Sequence, residues 1–208
     1  MSYLVVVAHP DDEVLGVGAT MAKLADRGEE VNVCILSANV EARNHRPETK
    51  ELHSDMEISM STLGVKKIYK GDFPNIQLNV VPHLKLVQFI EQAMIDCNAD
   101  VLITHHPADL NNDHLQTSIA CQAASKLFQR RNDIAPLKEL MFMEVPSATE
   151  WAQNTGYRQF TPNLFIEVGE EYIDKKVRAL EMYRGVEYYK IVEKICIMSK
   201  LLFKYTTY

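Results

Sequence analysis

The sequence predicts a single Rossmann-like α/β domain, a doubly wound, mostly parallel sheet with helices on both faces. Three observations predict it. Short apolar runs alternate with stretches of helical periodicity, glycines stand where those stretches should end, and histidines and carboxylates crowd directly after two of the runs, where such sheets hold their sites.

The elements follow in chain order. Residues 3–8 form an apolar run rich in Val, too short for a buried helix and suited to a strand covered on both faces. Residues 14–27 repeat apolar side chains at three and four and close on Gly28, placed to turn left-handed after a helix. The same pair recurs as strand 31–37 with helix 48–63 closed by Gly64, strand 65–69 with helix 81–97, and strand 101–104 with helix 114–131. Pro47 and Pro82 stand where a first helical turn tolerates a missing N–H. Residues 140–145 and 164–168 add two further predicted strands, and the longest irregular stretches are 38–47, 105–113 and 146–162.

Composition bounds the function. The chain has 208 residues, 47 % hydrophobic and 24 % charged, which is globular usage and enough for one sizeable core. A net charge of −6 argues against nucleic acid, whose binders carry a basic excess. Four cysteines, Cys34, Cys97, Cys121 and Cys196, are scattered without a Cys-x-x-Cys pair, so neither a disulfide framework nor a thiolate zinc site is indicated. The first apolar run has no basic residue before it and no run is long enough to span a bilayer, which reads as a cytoplasmic chain. Residues 184–208 differ from the rest: Arg184, Lys190, Lys194, Lys200 and Lys204 oppose only Glu187 and Glu193, leaving about −9 on the remainder. This basic amphipathic tail reads as a short helix packing Ile191, Ile195, Met198 and Leu202 on the body, with a weak membrane-surface contact as the alternative.

Chemistry concentrates at two strand ends. Ala8-His9-Pro10-Asp11-Asp12-Glu13 puts an imidazole and three carboxylates at the first strand-to-helix turn, where like charges need a cation to relieve them. Thr104-His105-His106-Pro107-Ala108-Asp109-Leu110-Asn111-Asn112-Asp113-His114 follows the fourth strand. A doubly wound sheet brings such ends to one crevice, so His9, Asp12 and His114 can approach one ion as the His₂-carboxylate shell of a hydrolytic zinc site. Iron(II) or cobalt would accept the same ligands. Asp113 stands beside a proposed ligand and is placed to hold or polarise a neighbour. Gly16 and Gly18 supply only part of a dinucleotide fingerprint, with Met21 where its third glycine belongs and three acids where a pyrophosphate would sit, and read instead as helix–sheet packing.

The two motifs, with Glu144-Val145-Pro146-Ser147 and Glu150-Trp151, resemble the PIG-L/LmbE-like zinc de-N-acetylase family, in a bacterial branch associated with sugar and surface polysaccharide. The resemblance covers roughly residues 3–183 and implies a metal-dependent deacetylase domain there. It implies one Zn²⁺ on His9, Asp12 and His114, Asp11 as general base, and Arg43, ahead of Arg46, as a substrate contact. Asn111 stands where many members have a histidine; an amide cannot donate a proton as that residue would, but it can hydrogen-bond a carbonyl or sugar hydroxyl, leaving the electrostatic role to His106 or His105. Asn75 stands where relatives more often have Asp, and Trp151, the only tryptophan, either stacks on a sugar or packs in the body. The implied reaction is hydrolysis of an N-acetyl group on an N-acetylhexosamine unit carried by a nucleotide, lipid or glycoside, in a homo-oligomer by family analogy. The alternatives are a metal-dependent hydrolase of a non-sugar amide and a catalytically degenerate sugar- or partner-binding member.

Overall fold

A computed structural model describes residues 1–39, 47–146, 148–152 and 159–184. Five strands, β1 (Ser2–Val7), β2 (Glu30–Ile35), β3 (Lys67–Lys70), β4 (Val101–His105) and β5 (Glu139–Met143), form one sheet in the order β3-β2-β1-β4-β5. Every strand pair is parallel, and one isolated antiparallel bridge joins Ser37 to Asp72. The order reverses between β1 and β4, so the crevice above their carboxyl ends is the switch point of the sheet.

Helices α1 (Asp12–Asp26), α2 (Thr49–Thr62) and α5 (Glu170–Glu181) cover one face, and α3 (His83–Asp96) and α4 (Asn112–Ala124) the other. β1 shows why its sequence is a continuous apolar run. Tyr3, Val5 and Val7 enter the core with Val14, Leu15, Met56 and Leu180, while Leu4, Val6 and Ala8 enter the opposite one with Leu86, Ile90 and Cys121.

The expected helix ends hold: Gly28 and Gly64 have φ of 80° and 75°, the left-handed geometry that releases the chain after α1 and α2. A Cβ on Gly16 would lie 2.5 Å from Met143 Sδ, so Gly16 admits the close approach of α1 to β5, as packing rather than phosphate binding requires. At Val17 the helix leaves regular geometry (φ −129°, ψ 18°), and beside this kink Lys176 Nζ of α5 donates to Leu15 O at 2.7 Å.

Two predicted elements are corrected. Residues 164–168 are not a strand: Leu164, Phe165 and Ile166 lie exposed, the second of them 74 %, and β5 is the edge of the sheet. An apolar run alone does not supply the ladder that makes a strand. α4 stops at Ala124 instead of residue 131, Ser125 donating its hydroxyl to Gln122 O, and the apolar pattern continues in a separate 3₁₀ turn, Leu127–Gln129. No helix among the described residues is long and apolar enough to cross a membrane. Cys34, Cys97 and Cys121 are buried free thiols.

Candidate metal centre

The first cluster is shaped by the turn from β1 into α1. Asp11, at the N-cap, has φ 102° and ψ −30°, and its carbonyl accepts from Val14 N–H at 3.0 Å and Leu15 N–H at 2.9 Å. Its own N–H donates to Glu13 Oε2 at 3.1 Å, and Tyr183, just beyond α5, donates its hydroxyl to Glu13 Oε1 at 2.6 Å. Glu13 is fully buried. Burial, with the Asp11 and Asp12 carboxylates beside it, pushes its pKa up to about 8 against the Tyr183 hydrogen bond. Glu13 therefore braces the turn from behind, a role the sequence did not disclose.

His9, Asp12 and His114 come together across the switch point. Asp12 Oδ2 lies 3.4 Å from His9 Nδ1 and 3.2 Å from His114 Nε2, and it also accepts His9 N–H at 3.0 Å. All three side chains are buried. Burial alone would raise the Asp12 pKa, but His114, His9 and His105 hold it well below the usual carboxylate range. The same neighbours act in reverse on His114, where Asp12 and Asp109 overcome burial and push the imidazole up to about 10.

A carboxylate stands beside the far nitrogen of each ring. His9 Nε2 lies 3.0 Å from Asp113 Oδ2, whose Oδ1 accepts Leu78 N–H at 3.0 Å from the 3₁₀ turn Leu78–Val80. His114 Nδ1 lies 3.1 Å from Asp109 Oδ1. With carboxylates behind both rings, His9 Nδ1 and His114 Nε2 are the nitrogens that face Asp12 Oδ2. Three donor atoms, all within 4.8 Å of one another, thus fit a small divalent cation by donor type and by the partners behind them.

A second triad, His105, Asp109 and His114, is equally close but chemically different. His105 Nε2 accepts Ala8 N–H at 2.9 Å, so its lone pair is spent and Nδ1 carries the proton. The ring stacks on His114 at 3.9 Å, and burial together with the His114 charge lowers its pKa to about 3. His105 is therefore a neutral imidazole in the wall of the site.

The structure does not bring His106 to the cluster. Among the described residues its ring meets Phe160 and Phe142 edge-on at 5.2 and 6.1 Å, and its Nδ1 accepts Ala108 N–H at 3.2 Å. Burial lowers its pKa, against the Asp109 carboxylate, which raises it. It lines a cavity of about 560 Å³ with Phe142, Glu144, Pro146, Phe160 and Lys176.

Asn111 caps α4, its Oδ1 accepting Asp113 N–H at 2.9 Å. Its amide donors are left to meet a ligand. Asn75 is buried with Oδ1 unpartnered, and Trp151 is 52 % exposed rather than packed in the body. Arg43 and Arg46 lie outside the described residues, as do residues 185–208 of the tail.

Sequence reasoning missed Asp109, although its spacing held a signal. Asp109, Asn111 and Asp113 alternate, and each of the first two accepts the N–H two residues on, at 2.8 and 2.9 Å. Alternating Asx residues ahead of a helix mark such a ladder.

Comparison with known proteins places this geometry. The family profile described as PIG-L: GlcNAc-PI de-N-acetylase matches residues 4–125. An Escherichia coli (strain K12) protein named uncharacterized deacetylase YaiS is 24 % identical over 188 residues, spanning 88 % of this chain and 90 % of its own. The conserved protein TT1542 from Thermus thermophilus superposes with a TM-score of 0.80 at 23 % identity, covering 100 % of this chain and 90 % of its own. The N,N'-diacetylchitobiose deacetylase from Pyrococcus horikoshii gives 0.71 at 20 % identity, covering 93 % and 73 %.

Proposed function

Since the chain belongs to the PIG-L, or GlcNAc-PI de-N-acetylase, family and is by that membership a hydrolytic N-deacetylase, we propose that it removes the acetyl group of an N-acetylhexosamine unit with one zinc ion on His9, Asp12 and His114. One observation carries the reading: two imidazoles and a carboxylate converge while Asp113 and Asp109 occupy the far ring nitrogens. The relative from Pyrococcus horikoshii, named for diacetylchitobiose, supports a sugar amide as the substrate class.

When bound, the ion supplies the positive charge that brings the pKa of a water toward about 7. Asp11 is the general base. It stands one residue before Asp12 and its backbone is held by Glu13, so its carboxylate takes a proton from the attacking water and returns it to the departing amine. The amide donors of Asn111 meet the acetyl carbonyl or a sugar hydroxyl, and Arg43 meets a hydroxyl or phosphate of the substrate. His106 is assigned to the cavity wall, where a neutral ring contributes shape and an Nε2 donor. Residues 1–183 form the catalytic domain.

Acetate release is measured on a panel of N-acetylhexosamine glycosides, nucleotides and lipid-linked sugars, using zinc-loaded protein. Asp11→Asn and His114→Ala both abolish turnover, with zinc content lost only in the second. His106→Ala raises KM at unchanged zinc content. Full zinc occupancy with no turnover on any sugar would replace this reading with hydrolysis of a non-sugar amide. If liposome co-sedimentation appears and is lost on deleting 184–208, the tail is a membrane-surface segment instead.

A further inference from the structure

We propose that Thr149, in the 3₁₀ turn Thr149–Trp151 after β5, is a positioning residue for the metal ligand His114, acting through Asp109. Thr149 Oγ1 lies 2.7 Å from Asp109 Oδ2, from a position forty residues further along the chain. The direction of that hydrogen bond is determined. Thr149 Oγ1 already accepts Val145 N–H at 2.8 Å, and a hydroxyl has a single proton, which must therefore point at Asp109. Asp109 Oδ1 accepts Asn111 N–H at 2.8 Å and faces His114 Nδ1 at 3.1 Å.

A carboxylate with one donor on each oxygen is held in one orientation and kept in its acceptor form. His114 then presents the Nδ1 proton to Asp109 and its Nε2 lone pair to the ion. Asp109 and Thr149 are both buried, so no water competes for these bonds. The chain Val145 N–H, Thr149, Asp109, His114 ties the end of edge strand β5 to a ligand on α4. It also ties the ligand to the turn that carries the exposed Trp151. The requirement is specific: serine preserves both of the hydroxyl's hydrogen bonds, whereas isosteric valine removes both.

The inference rests on His114 being a metal ligand, and the experiment separates the two. Zinc affinity of the metal-free protein is measured by competition with a chromophoric chelator, beside the cobalt(II) d–d spectrum and the thermal midpoint of the metal-free form. His114→Ala must lose stoichiometric binding; if it binds zinc as the parent does, the metal reading itself fails. Thr149→Val is expected to weaken zinc binding about 10- to 100-fold and to shift the cobalt spectrum, with Thr149→Ser returning both to parental values. Asp109→Asn, which keeps the side chain's size, is expected to weaken binding to a similar degree, and it carries the test if the valine variant does not fold. Parental affinity and spectrum in Thr149→Val, with only the thermal midpoint lowered, would make Thr149 a structural residue and overturn the proposal while the metal reading stands.

Discussion

Each candidate functional side chain in this crevice is held by a neighbouring polar residue. Asp12 accepts His9 N–H, Asp113 stands behind His9, and Glu13 accepts the N–H of Asp11. The acidic run after β1 therefore divides by direction: Asp12 faces the ligand cluster, Glu13 faces the core, and the left-handed Asp11 lies between them. Glu13 depends in turn on Tyr183. Tyr183→Phe leaves the buried Glu13 Oε1 without its hydrogen-bond partner, at a cost of about 1–3 kcal/mol. The expected result is a lower kcat at unchanged zinc content and a lower thermal midpoint, read by acetate release, metal analysis and calorimetry. Loss of zinc together with activity would place Tyr183 behind the ligands instead of behind Asp11.

Whole elements were more legible than these contacts. Periodicity and glycine punctuation located four strand–helix pairs, because burial on both faces writes itself into β1 and helical spacing into α1–α3. The false strand at residues 164–168 and the overlong α4 fail for one reason: apolarity records a tendency to be buried, whereas pairing and helix ends depend on partners elsewhere in the chain. α5 is not among the predicted elements, yet just beyond its end stand Tyr183 and then Arg184, whose Nε and Nη2 lie 3.1 and 2.9 Å from the buried Asp55 Oδ1 of α2. The approach of the loop after β3 to the end of β2 is tighter still. A Cβ on Gly71 would lie 2.3 Å from the Leu36 carbonyl oxygen, and main chain cannot swing aside as a side chain can. Gly71→Ala is expected to destabilise the fold by about 1–3 kcal/mol, measured by denaturant unfolding; an unchanged midpoint would show that β2 and β3 separate freely there.

Over the whole molecule, the site joins parts of the chain far apart in sequence. The proposed ligands come from the β1–α1 turn and from α4, while the residues behind them reach to Leu78 and Thr149. The two motifs announced the candidate ligands, since residue type limits what can bind an ion. Of the supporting partners only Asp113 was legible, from its place beside His114; Asp109, Leu78 and Thr149 are chosen by proximity. Because the cluster forms only when these segments meet, an ion that binds there binds the folded chain and stabilises it. Zinc at 100 times its Kd adds about 2.7 kcal/mol, which for a domain of this size raises the thermal midpoint by roughly 5–10 °C. Chelation should reverse that shift in calorimetry, and a midpoint indifferent to zinc would contradict a site assembled by the fold.

The left-handed backbone of Asp11 has a consequence for how such chains diverge. A φ of 102° suits glycine and taxes an aspartate by about 1–3 kcal/mol, so the proposed base is kept against the preference of its own backbone. In a lineage relieved of catalysis, drift toward glycine at this position would be rewarded with a sturdier fold. Among descendants of this scaffold, a glycine between an intact proline and an intact ligand aspartate would be the signature of an enzyme that has retired while still able to hold its metal.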